Sequence, residues 1–497
     1  MVYWPRMESA LKVSSGAERV DRARRINLPP NVAVAALGLL VGLALGVAVA
    51  AASPLYVVAG LVGLVGLVCL FADVRVGLFG FVGVATLLPF GTVPISLGPV
   101  RPTLVDACLV PVLLLWLFRL LADRRERIRA SGIDLPVLLF IGVCLTSFVL
   151  GTAYQTTTSD VRKFAELLDG IIFFFGVVNC VRDLAVLRGL LLSFVGGGAA
   201  SGLLGVVLYY LPVATSTALL RALSHVGYPA TDILQYIAST TIQRAIGTSI
   251  DPNILGATLM ICGVVAVGLL ASPGPRSRKL WILVALAPML AALLLTYSRG
   301  SLVGFLAGCA VIATLRYRRL WLIGGVIVVV ILLTGEVAHS SFLSHLQSGI
   351  EIKDQATLMR LGEYKDALRL ISQYPWFGVG FGTAPNVDLY VGVSSIYLLI
   401  AEQVGLVGLT IWLWTMGSII LRAARHCRQA HDEASSLAVS CLAALISALV
   451  AGIFDHHFVD MNFPHVVAMV WMTIGLLAVA LKLGNTADDA ASHARPR

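Results

Sequence analysis

Long apolar runs set the strongest constraint on the fold of this 497-residue chain. Many of these runs hold about 17–25 residues, which is the length a helix needs to cross a hydrocarbon core roughly 30 Å thick. Charged residues make up only 13% of the chain, whereas a soluble domain carries about a quarter. These features exclude a soluble enzyme. They predict an all-α fold, a polytopic transmembrane helical bundle.

The runs predict fourteen spans with the N-terminus inside: residues 32–51, 54–72, 76–92, 103–121, 134–152, 164–181, 187–210, 253–271, 279–297, 301–316, 319–335, 395–421, 435–454 and 464–482. With both termini cytoplasmic, ten cations lie outside and the other 26 of the 36 Lys and Arg residues lie in or beside inner breaks. The ten are Arg101, Arg162, Lys163, Arg221, Arg244, Arg299, Lys353, Arg360, Lys365 and Arg369. The positive-inside rule expects this bias, so the net charge of +9 is mainly an orientation signal.

The predicted topology divides the chain into four regions. They are a cytoplasmic N-tail (1–30), N-terminal spans with a first outer loop (31–240), a second membrane domain (241–482) that includes the outer loop 336–393, and a cytoplasmic C-tail (483–497). Residues 211–252 and 336–393 are too long to be simple turns, whereas the other breaks are short. We therefore expect the function at the outer face, around these two loops.

The second outer loop contains a predicted helix, residues 357–374. Leu361, Tyr364, Leu368 and Ile371 recur at spacings of 3, 4 and 3, which is typical of one apolar helix side. We expect this helix to lie on the outer membrane face. At 100° per residue Arg360 falls on or near the apolar side. Its guanidinium either snorkels to water or meets an anion, and the spacing leaves both interpretations open.

Three glycines follow this helix in the segment Pro375–Gly382. They permit a tight turn in which backbone N–H groups, at Gly378 and Gly380, meet an anion. The same residues are also typical of an ordinary helix stop.

Two further arginines adjoin predicted spans at the outer face. Arg299 separates two spans with hardly any loop, and it is either an interfacial anchor or a group inside the bundle, where it costs about 2.5–3.5 kcal/mol. Arg244 precedes Asp251 and Pro252, a pair that favours a plain helix start with Asp251 as the N-cap. Outer arginines beside spans favour an anionic ligand, and their planar donor forks suit the phosphates of a lipid diphosphate.

Several carboxylates and histidines lie in or beside the predicted spans. Glu402 lies inside predicted span 395–421, where an ionisable group is either functional or part of an ion pair. Lys163, Glu166 and Asp169 follow one helix face at spacings of 3, as in a salt-bridged or cavity-facing strip. The short outer turn before the last span contains a cluster made of Asp455, His456, His457, Asp460 and His465. It can hold a metal or supply a base, but its shortness favours polar packing, and we predict no metal.

Four motifs in order carry a family resemblance over residues 240–480. They are Arg244…Gly247…Asp251-Pro252-Asn253…Gly256, Tyr297-Ser298-Arg299-Gly300-Ser301, Arg360…Pro375…Gly378-Val379-Gly380 and Tyr397…Glu402…Gly405-Leu406-Val407-Gly408. Together with the large outer loop they resemble the O-antigen ligase and O-antigen polymerase superfamily. The resemblance implies a multi-pass glycosyltransferase of the bacterial cytoplasmic membrane that acts on the outer face. It implies an undecaprenyl-diphosphate-linked glycan donor, a glycan or lipid-glycan acceptor, and no cofactor, metal or nucleic acid.

The resemblance also implies roles for individual residues. In that case Arg244 and Arg360, with Arg299, bind the donor diphosphate and neutralise the charge that develops as the diphosphate departs. Gly378 and Gly380 adjoin this site. An acceptor hydroxyl needs a base, for which Glu402, Asp388 or a histidine is the available type. Asp388, Tyr397 and His456 are candidates for the acceptor side.

One departure from the family pattern bears on the acceptor. Ligases of the family carry a histidine about nine residues before the glutamate that matches Glu402, and here residues 393–397 read Val-Ser-Ser-Ile-Tyr. Polymerisation, or ligation to another acceptor than lipid A core, therefore fits better. A flippase or transporter of lipid-linked glycan is the alternative function, and an inactive scaffold member of the family is a third.

Overall fold

The structure is a computed structural model that describes residues 63–66, 68–93, 101–123, 126–151, 156–229, 231, 233–237, 241–322, 324–325, 355–382 and 393–493. The chain forms two compact units, residues 1–66 and 67–497. Of the first unit only residues 63–66 are described, and they are helical. The second unit contains every element discussed below.

The described part of the second unit is helical, without a β-strand. Its helices are α1 (Arg75–Leu87), α2 (Leu104–Ala122), α3 (Asp134–Gly151), α4 (Thr158–Cys180), α5 (Leu184–Tyr210), α6 (Val213–Ala222), α7 (Pro252–Ala271), α8 (Arg276–Leu295), α9 (Arg299–Leu315), α10 (Gln355–Gln373), α11 (Ile396–Gln403), α12 (Gly405–Gln429), α13 (Glu433–Ala451) and α14 (Pro464–His493). A 3-10 turn, Leu223–Val226, follows α6. The predicted all-α fold is confirmed.

Eight of these helices are long and apolar enough to cross a membrane: α2, α3, α5, α7, α8, α12, α13 and α14 over Pro464–Asn485. The helices α1 and α9 are apolar but shorter, and α4 carries several charged residues in its first half. A multi-pass bundle is therefore supported by length and composition. The count of fourteen stays a prediction, because span 32–51 and most of span 319–335 lie outside the described residues.

The predicted span 395–421 is not one continuous helix, because the chain breaks there into α11 and α12. Val404 separates the two helices, and Gly405 has a φ of +78°. The segment after α10 fills the break: the N–H of Val379 donates to the carbonyl of Glu402 at 2.9 Å, and that of Leu406 donates to the carbonyl of Pro375 at 2.8 Å. These bonds satisfy backbone groups that a helix end leaves without an intrahelical partner. The break is therefore stabilised by a segment more than 20 residues away in sequence.

The core of the bundle consists of α7, α13 and α14, which are buried over most of their length. Small residues let the helices approach closely: a Cβ on Gly304 would lie 2.7 Å from the carbonyl oxygen of Ser447, and one on Gly256 would lie 2.7 Å from Oγ of Ser301. Such residues are typical of helix interfaces in membranes. The close packing brings the first turns of α7 and α9 together at one end of the bundle.

The inner side of α10 differs from the predicted apolar side. Ala367 and Leu370 are buried, whereas Leu361 is 41% exposed and Leu368 is 58% exposed. Both leucines therefore lie mainly on the exposed side of α10, and contact of that side with the outer membrane face stays a prediction. The leucines are exposed because α10 packs through Ala367 against α11 and the segment before it, a contact that involves Leu399 and Val393. The predicted bounds of the helix, 357–374, agree with the observed ones to within two residues.

Candidate functional site

Three arginines from separate segments of the chain lie in one region. Arg244 precedes α7, Arg299 is the first residue of α9, and Arg360 lies on α10. Burial lowers the pKa of Arg244, and the positive charges of Arg360 and Arg299 lower it further, against the opposing effects of Asp251 and Asp455. Charges influence one another strongly only over short distances. The three guanidinium groups therefore form an arginine cluster, although they are 55 or more positions apart in sequence.

Arg244 is held in place by neighbouring helix ends. Its Nε donates to the carbonyl of Thr296 at 2.8 Å, and its Nη2 donates to Oδ1 of Asn253 at 2.7 Å. The predicted helix start is also confirmed, because the Asp251 carboxylate caps α7 by accepting from the N–H groups of Asn253 and Ile254. The plane of the Arg244 guanidinium is thus fixed by α7 and by the end of α8.

Two residues of this region have unusual backbone conformations. Ile250 has a φ of +64° and Tyr297 has a φ of +52°, and they are the non-glycine residues with positive φ within the described ranges. Such conformations cost of the order of 1–3 kcal/mol each and often occur at functional sites. Ile250 directly precedes the Asp251 cap, and Tyr297 lies two residues before Arg299. The strain is thus concentrated where α7 and α9 begin.

The inner side of α10 is fixed to the segment before α11. Oε2 of Glu363 accepts hydrogen bonds from the backbone N–H of Ser394 at 3.0 Å and from its hydroxyl at 2.6 Å. The Tyr364 hydroxyl donates to the Ser394 carbonyl at 3.1 Å. Arg360 lies on this side, is half-buried, and acts on the charge of Asp455. It therefore points toward the bundle, which favours the anion-binding interpretation over snorkelling.

The turn between α13 and α14 contributes an Asp–His pair to the same region. Nε2 of His457 lies 3.0 Å from Oδ1 of Asp455, and both side chains are buried. Burial by itself would raise the pKa of Asp455, but His457, His456 and Arg360 lower it to about 2. Burial would likewise lower the pKa of His457, but Asp455 raises it above its ordinary value. Asp455 is thus an ionised carboxylate beside the arginine cluster.

His456 is the more accessible histidine of this turn. Its side chain is 24% exposed, and its Nε2 lies 3.3 Å from Oδ2 of Asp460. Asp455, His456 and His457 each place one potential ligand atom within 4.8 Å of the others, which is close enough to hold a metal ion. In this structure Asp455 instead pairs with His457. The absence of a metal stays a prediction.

The Asp455–His457 pair predicts a pH window of stability. The pKa of Asp455 falls from 3.8 to about 2, so its contribution is present above pH 3.8 and is lost as the pH falls toward 2. The pKa of His457 lies above 6.5, so its contribution is complete below pH 6.5 and is lost as the pH rises through the raised value. We expect the melting temperature of the purified protein to be highest between these limits.

Asp455→Asn should lower and flatten this profile, because removing one partner of a buried ion pair costs about 3–5 kcal/mol. Melting curves from pH 3 to pH 9 measure the effect. Glu433→Gln is the matched control, since it removes an exposed ion pair with Arg188 that is worth about 0–1 kcal/mol. Equal profiles for the two variants would contradict the prediction.

Glu402 lies at the far end of α11 from Ser394. Its side chain is partly buried and lies within reach of the negative charge of Asp366 on α10. The carboxyl group thus lies near the second half of α10. The structure places Glu402 beside the helix break rather than in the arginine cluster.

The glycines after α10 have a packing role in this structure. The N–H of Gly378 donates to the Tyr374 carbonyl at 3.2 Å, and that of Gly380 donates to the Gln403 carbonyl at 3.0 Å. A Cβ on Gly378 would lie 2.4 Å from the Glu402 carbonyl oxygen. The two N–H groups predicted to meet an anion are therefore engaged within the chain, as the helix-stop interpretation expects.

The two remaining acceptor-side candidates differ in what the structure says of them. The Tyr397 hydroxyl donates to the Leu449 carbonyl at 3.0 Å, and its ring lies edge-on to Trp412, so this side chain braces α11 inside the bundle. Asp388 lies outside the described residues. Sequence reasoning missed Glu363, whose position three residues after Arg360 on the same helix side was the available signal.

Comparison with known proteins supports the family resemblance. Residues 284–413 match the family model described as O-Antigen ligase. This stretch contains Arg299, Arg360 and Glu402, whereas Arg244 and the Asp455–His457 pair lie outside it. No curated protein matches the chain. The predicted similarity to the O-antigen ligase superfamily is confirmed over these residues.

Proposed function

We propose that this chain is a membrane glycosyltransferase that polymerises or ligates a cell-surface polysaccharide of the O-antigen or exopolysaccharide type. Its donor is an undecaprenyl-diphosphate-linked glycan, and its site faces the outer side of the bacterial cytoplasmic membrane. The observation that carries the proposal is the convergence of Arg299 and Arg360 on Arg244 from separate segments, with the ionised carboxylate of Asp455 acting on Arg244 and Arg360. The family match supports an O-antigen ligase type of function in general.

In this proposal the arginine cluster binds the donor diphosphate. A guanidinium presents a planar fork of donors that matches phosphate oxygens. The fixed plane of Arg244 orients its fork before the donor arrives, and the negative charge of Asp455 partly balances that of Arg360. As the bond between the sugar anomeric carbon and the phosphate oxygen breaks, its electron pair leaves with the diphosphate. The arginines stabilise the charge that develops there, while Gly378 and Gly380 shape the adjoining segment.

The acceptor hydroxyl attacks the anomeric carbon and must lose its proton. We assign this proton to Nε2 of His456, whose side chain is partly exposed, and the carboxylate of Asp460 at 3.3 Å stabilises the imidazolium that forms. Histidine is the side chain most often used as a general base. The turn that carries His456 lies beside Arg360, and α10 in turn contacts Ser394, where ligases of the family carry their histidine. In this proposal His456 takes the role of the family's histidine, although it belongs to a different segment of the chain.

His456→Ala should lower the rate of glycan transfer by about 10²–10⁴, the usual contribution of a positioned base. The loss should appear in kcat, with the apparent affinity for the donor little changed, because the arginine cluster is intact. Initial rates of transfer in proteoliposomes measure this. His431→Ala is the control, since His431 is exposed before α13. A His456→Ala rate equal to that of the control would remove His456 from the mechanism.

The proposed activity is tested with the wild-type protein in proteoliposomes that contain a labelled undecaprenyl-diphosphate oligosaccharide and an acceptor glycan. We expect a longer glycan to form as undecaprenyl diphosphate is released in equal amount, without added nucleotide. Donor consumption without a new glycosidic bond would contradict the assignment.

One observation favours the alternative of a lipid-linked glycan flippase. Transporters often bind substrates at discontinuous helices, and here α11 and α12 are separated at Val404 with Glu402 beside the break. The same proteoliposomes distinguish the two functions. A flippase moves the labelled donor across the bilayer and leaves its glycan length unchanged.

A further inference from the structure

An arginine-rich cavity lies away from the site described above. It has a volume of about 340 Å³ and is lined by the ends of α1, α2 and α4 and by residues 126–127. Its polar and aromatic lining includes Arg75, Trp116, Arg119, Glu126, Arg127 and Arg182. No role in the proposed glycosyl transfer involves any of these residues.

The cavity lies at the opposite end of α4 from the candidate site. Near the start of α4, Nζ of Lys163 donates to Oδ1 of Asn462 in the turn that carries His456. Asn179 and Cys180, at the end of α4, line the cavity. A helix rises about 1.5 Å per residue, so the two regions are roughly 25 Å apart along α4. The predicted topology places the cavity on the cytoplasmic side.

Two of the four arginines in the cavity are balanced by carboxylates. Arg182 pairs with Glu126 at 2.5 Å, and Arg75 pairs with Asp183 at 3.5 Å and with Asp73 at 3.9 Å. Arg119 and Arg127 are exposed and form no ion pair with a described residue. The cavity therefore carries an excess of positive charge that suits an anion, and two free donor forks suit a phosphate group.

The surroundings of the cavity indicate what kind of anion it binds. Phe118, Leu121 and Ile128 are 67%, 77% and 62% exposed, and they flank Arg119 and Arg127 in sequence. Trp116, a residue type enriched at membrane interfaces, lines the cavity itself. An anion that fits both the arginines and the apolar side chains around them has a phosphate group and apolar chains. Basic pockets between membrane helices on the cytoplasmic side are a known type of site for such lipids.

We propose that this cavity binds an anionic phospholipid of the cytoplasmic leaflet, with the headgroup phosphate between Arg119 and Arg127 and the acyl chains against Phe118, Leu121 and Ile128. The bound lipid would fix the ends of α2 and α4 to the segment that carries Arg127. This site is independent of the proposed glycosyl transfer.

The test measures binding of phosphatidylglycerol to the purified full-length protein. Native mass spectrometry detects the bound lipid, and the melting temperature in detergent reports stabilisation. Phosphatidylcholine and inorganic phosphate are the comparison probes. We expect phosphatidylglycerol alone to stay bound and to raise the melting temperature. The double variant Arg119→Gln/Arg127→Gln should bind it about 30-fold more weakly, whereas Arg119→Lys/Arg127→Lys should keep most of the affinity.

Arg318→Gln/Arg319→Gln is the matched control, because these exposed arginines follow α9 on the same predicted membrane side. Its affinity for phosphatidylglycerol should equal that of the wild type. Three results would overturn the proposal: equal binding of phosphatidylcholine, an equal loss in the control variant, or stabilisation by inorganic phosphate as large as that by the lipid. If the glutamine variant does not fold, failure of the folded lysine variant to bind the lipid decides against the proposal.

Discussion

Arg360→Ala should abolish glycan extension or transfer while the protein remains folded in the membrane. Removal of one group that stabilises developing charge typically lowers a rate by about 10²–10³, and Arg360 also lies beside Asp455, whose charge it helps to balance. Arg360→Lys should restore part of the rate, because it keeps the charge and loses the planar fork. Glycan banding on gels and transfer rates in proteoliposomes measure both variants.

Arg369→Ala is the matched control for Arg360, since Arg369 is an exposed arginine of the same helix α10. It should leave the banding unchanged. Arg244→Ala should have an effect as large as that of Arg360→Ala, with an added loss of stability, because it leaves Asn253 and the Thr296 carbonyl without their donors. Normal banding in Arg244→Ala and Arg360→Ala, with both proteins folded, would rule out the proposed arginine cluster as the donor site.

Gly405→Ala should prevent accumulation of folded protein. A Cβ at this position would lie 2.1 Å from the carbonyl oxygen of Trp376 and 2.3 Å from its carbonyl carbon, and backbone atoms cannot move away as a flexible side chain can. The φ of +78° adds strain for any residue with a side chain. Overpacking and backbone strain together should cost roughly 2–5 kcal/mol. Size-exclusion profiles and melting temperatures of a fluorescent fusion measure the loss.

Gly417→Ala supplies the comparison within the same helix α12. A Cβ on Gly417 would meet no atom within 4 Å, and alanine is favoured over glycine inside a helix by about 0.5–1 kcal/mol. This variant should therefore fold as well as the wild type or slightly better. If Gly405→Ala behaves like Gly417→Ala, the contact between the segment after α10 and the helix break does not stabilise the protein.

Local patterns in the sequence predicted most of the helices. The start of α7 at Pro252 follows from Asp251, a cap whose hydrogen bonds span three residues. The bounds of α10 follow from a period visible within eighteen residues. Such features depend on neighbours along the chain, so the residues themselves contain the information. The choice of Arg244, Arg299 and Arg360 as candidates also came from the sequence, through residue type and position beside apolar runs.

Interactions between distant segments decided where the helix breaks and which side of α10 faces the bundle. The break at Val404 depends on backbone bonds from Val379 and to Pro375, and the hydropathy of residues 395–421 showed no sign of it. The side of α10 that faces inward depends on Ala367 packing against α11. A small alanine at a close helix contact outweighs the larger leucines, because close approach matters more there than side-chain size.

The sequence by itself determined that this chain is a helical membrane protein similar to O-antigen ligases, since span length, charge bias and short motifs are properties of contiguous residues. Only the tertiary structure brought Arg244, Arg299 and Arg360 to one place and gave Arg244 and Arg360 the carboxylate of Asp455 as a counter-charge. It also showed that Gly378 and Gly380, which the sequence offered as anion ligands, belong to the segment that fills the helix break. The physical reason is that electrostatic interactions and backbone contacts depend on distances in space, which local sequence patterns do not encode.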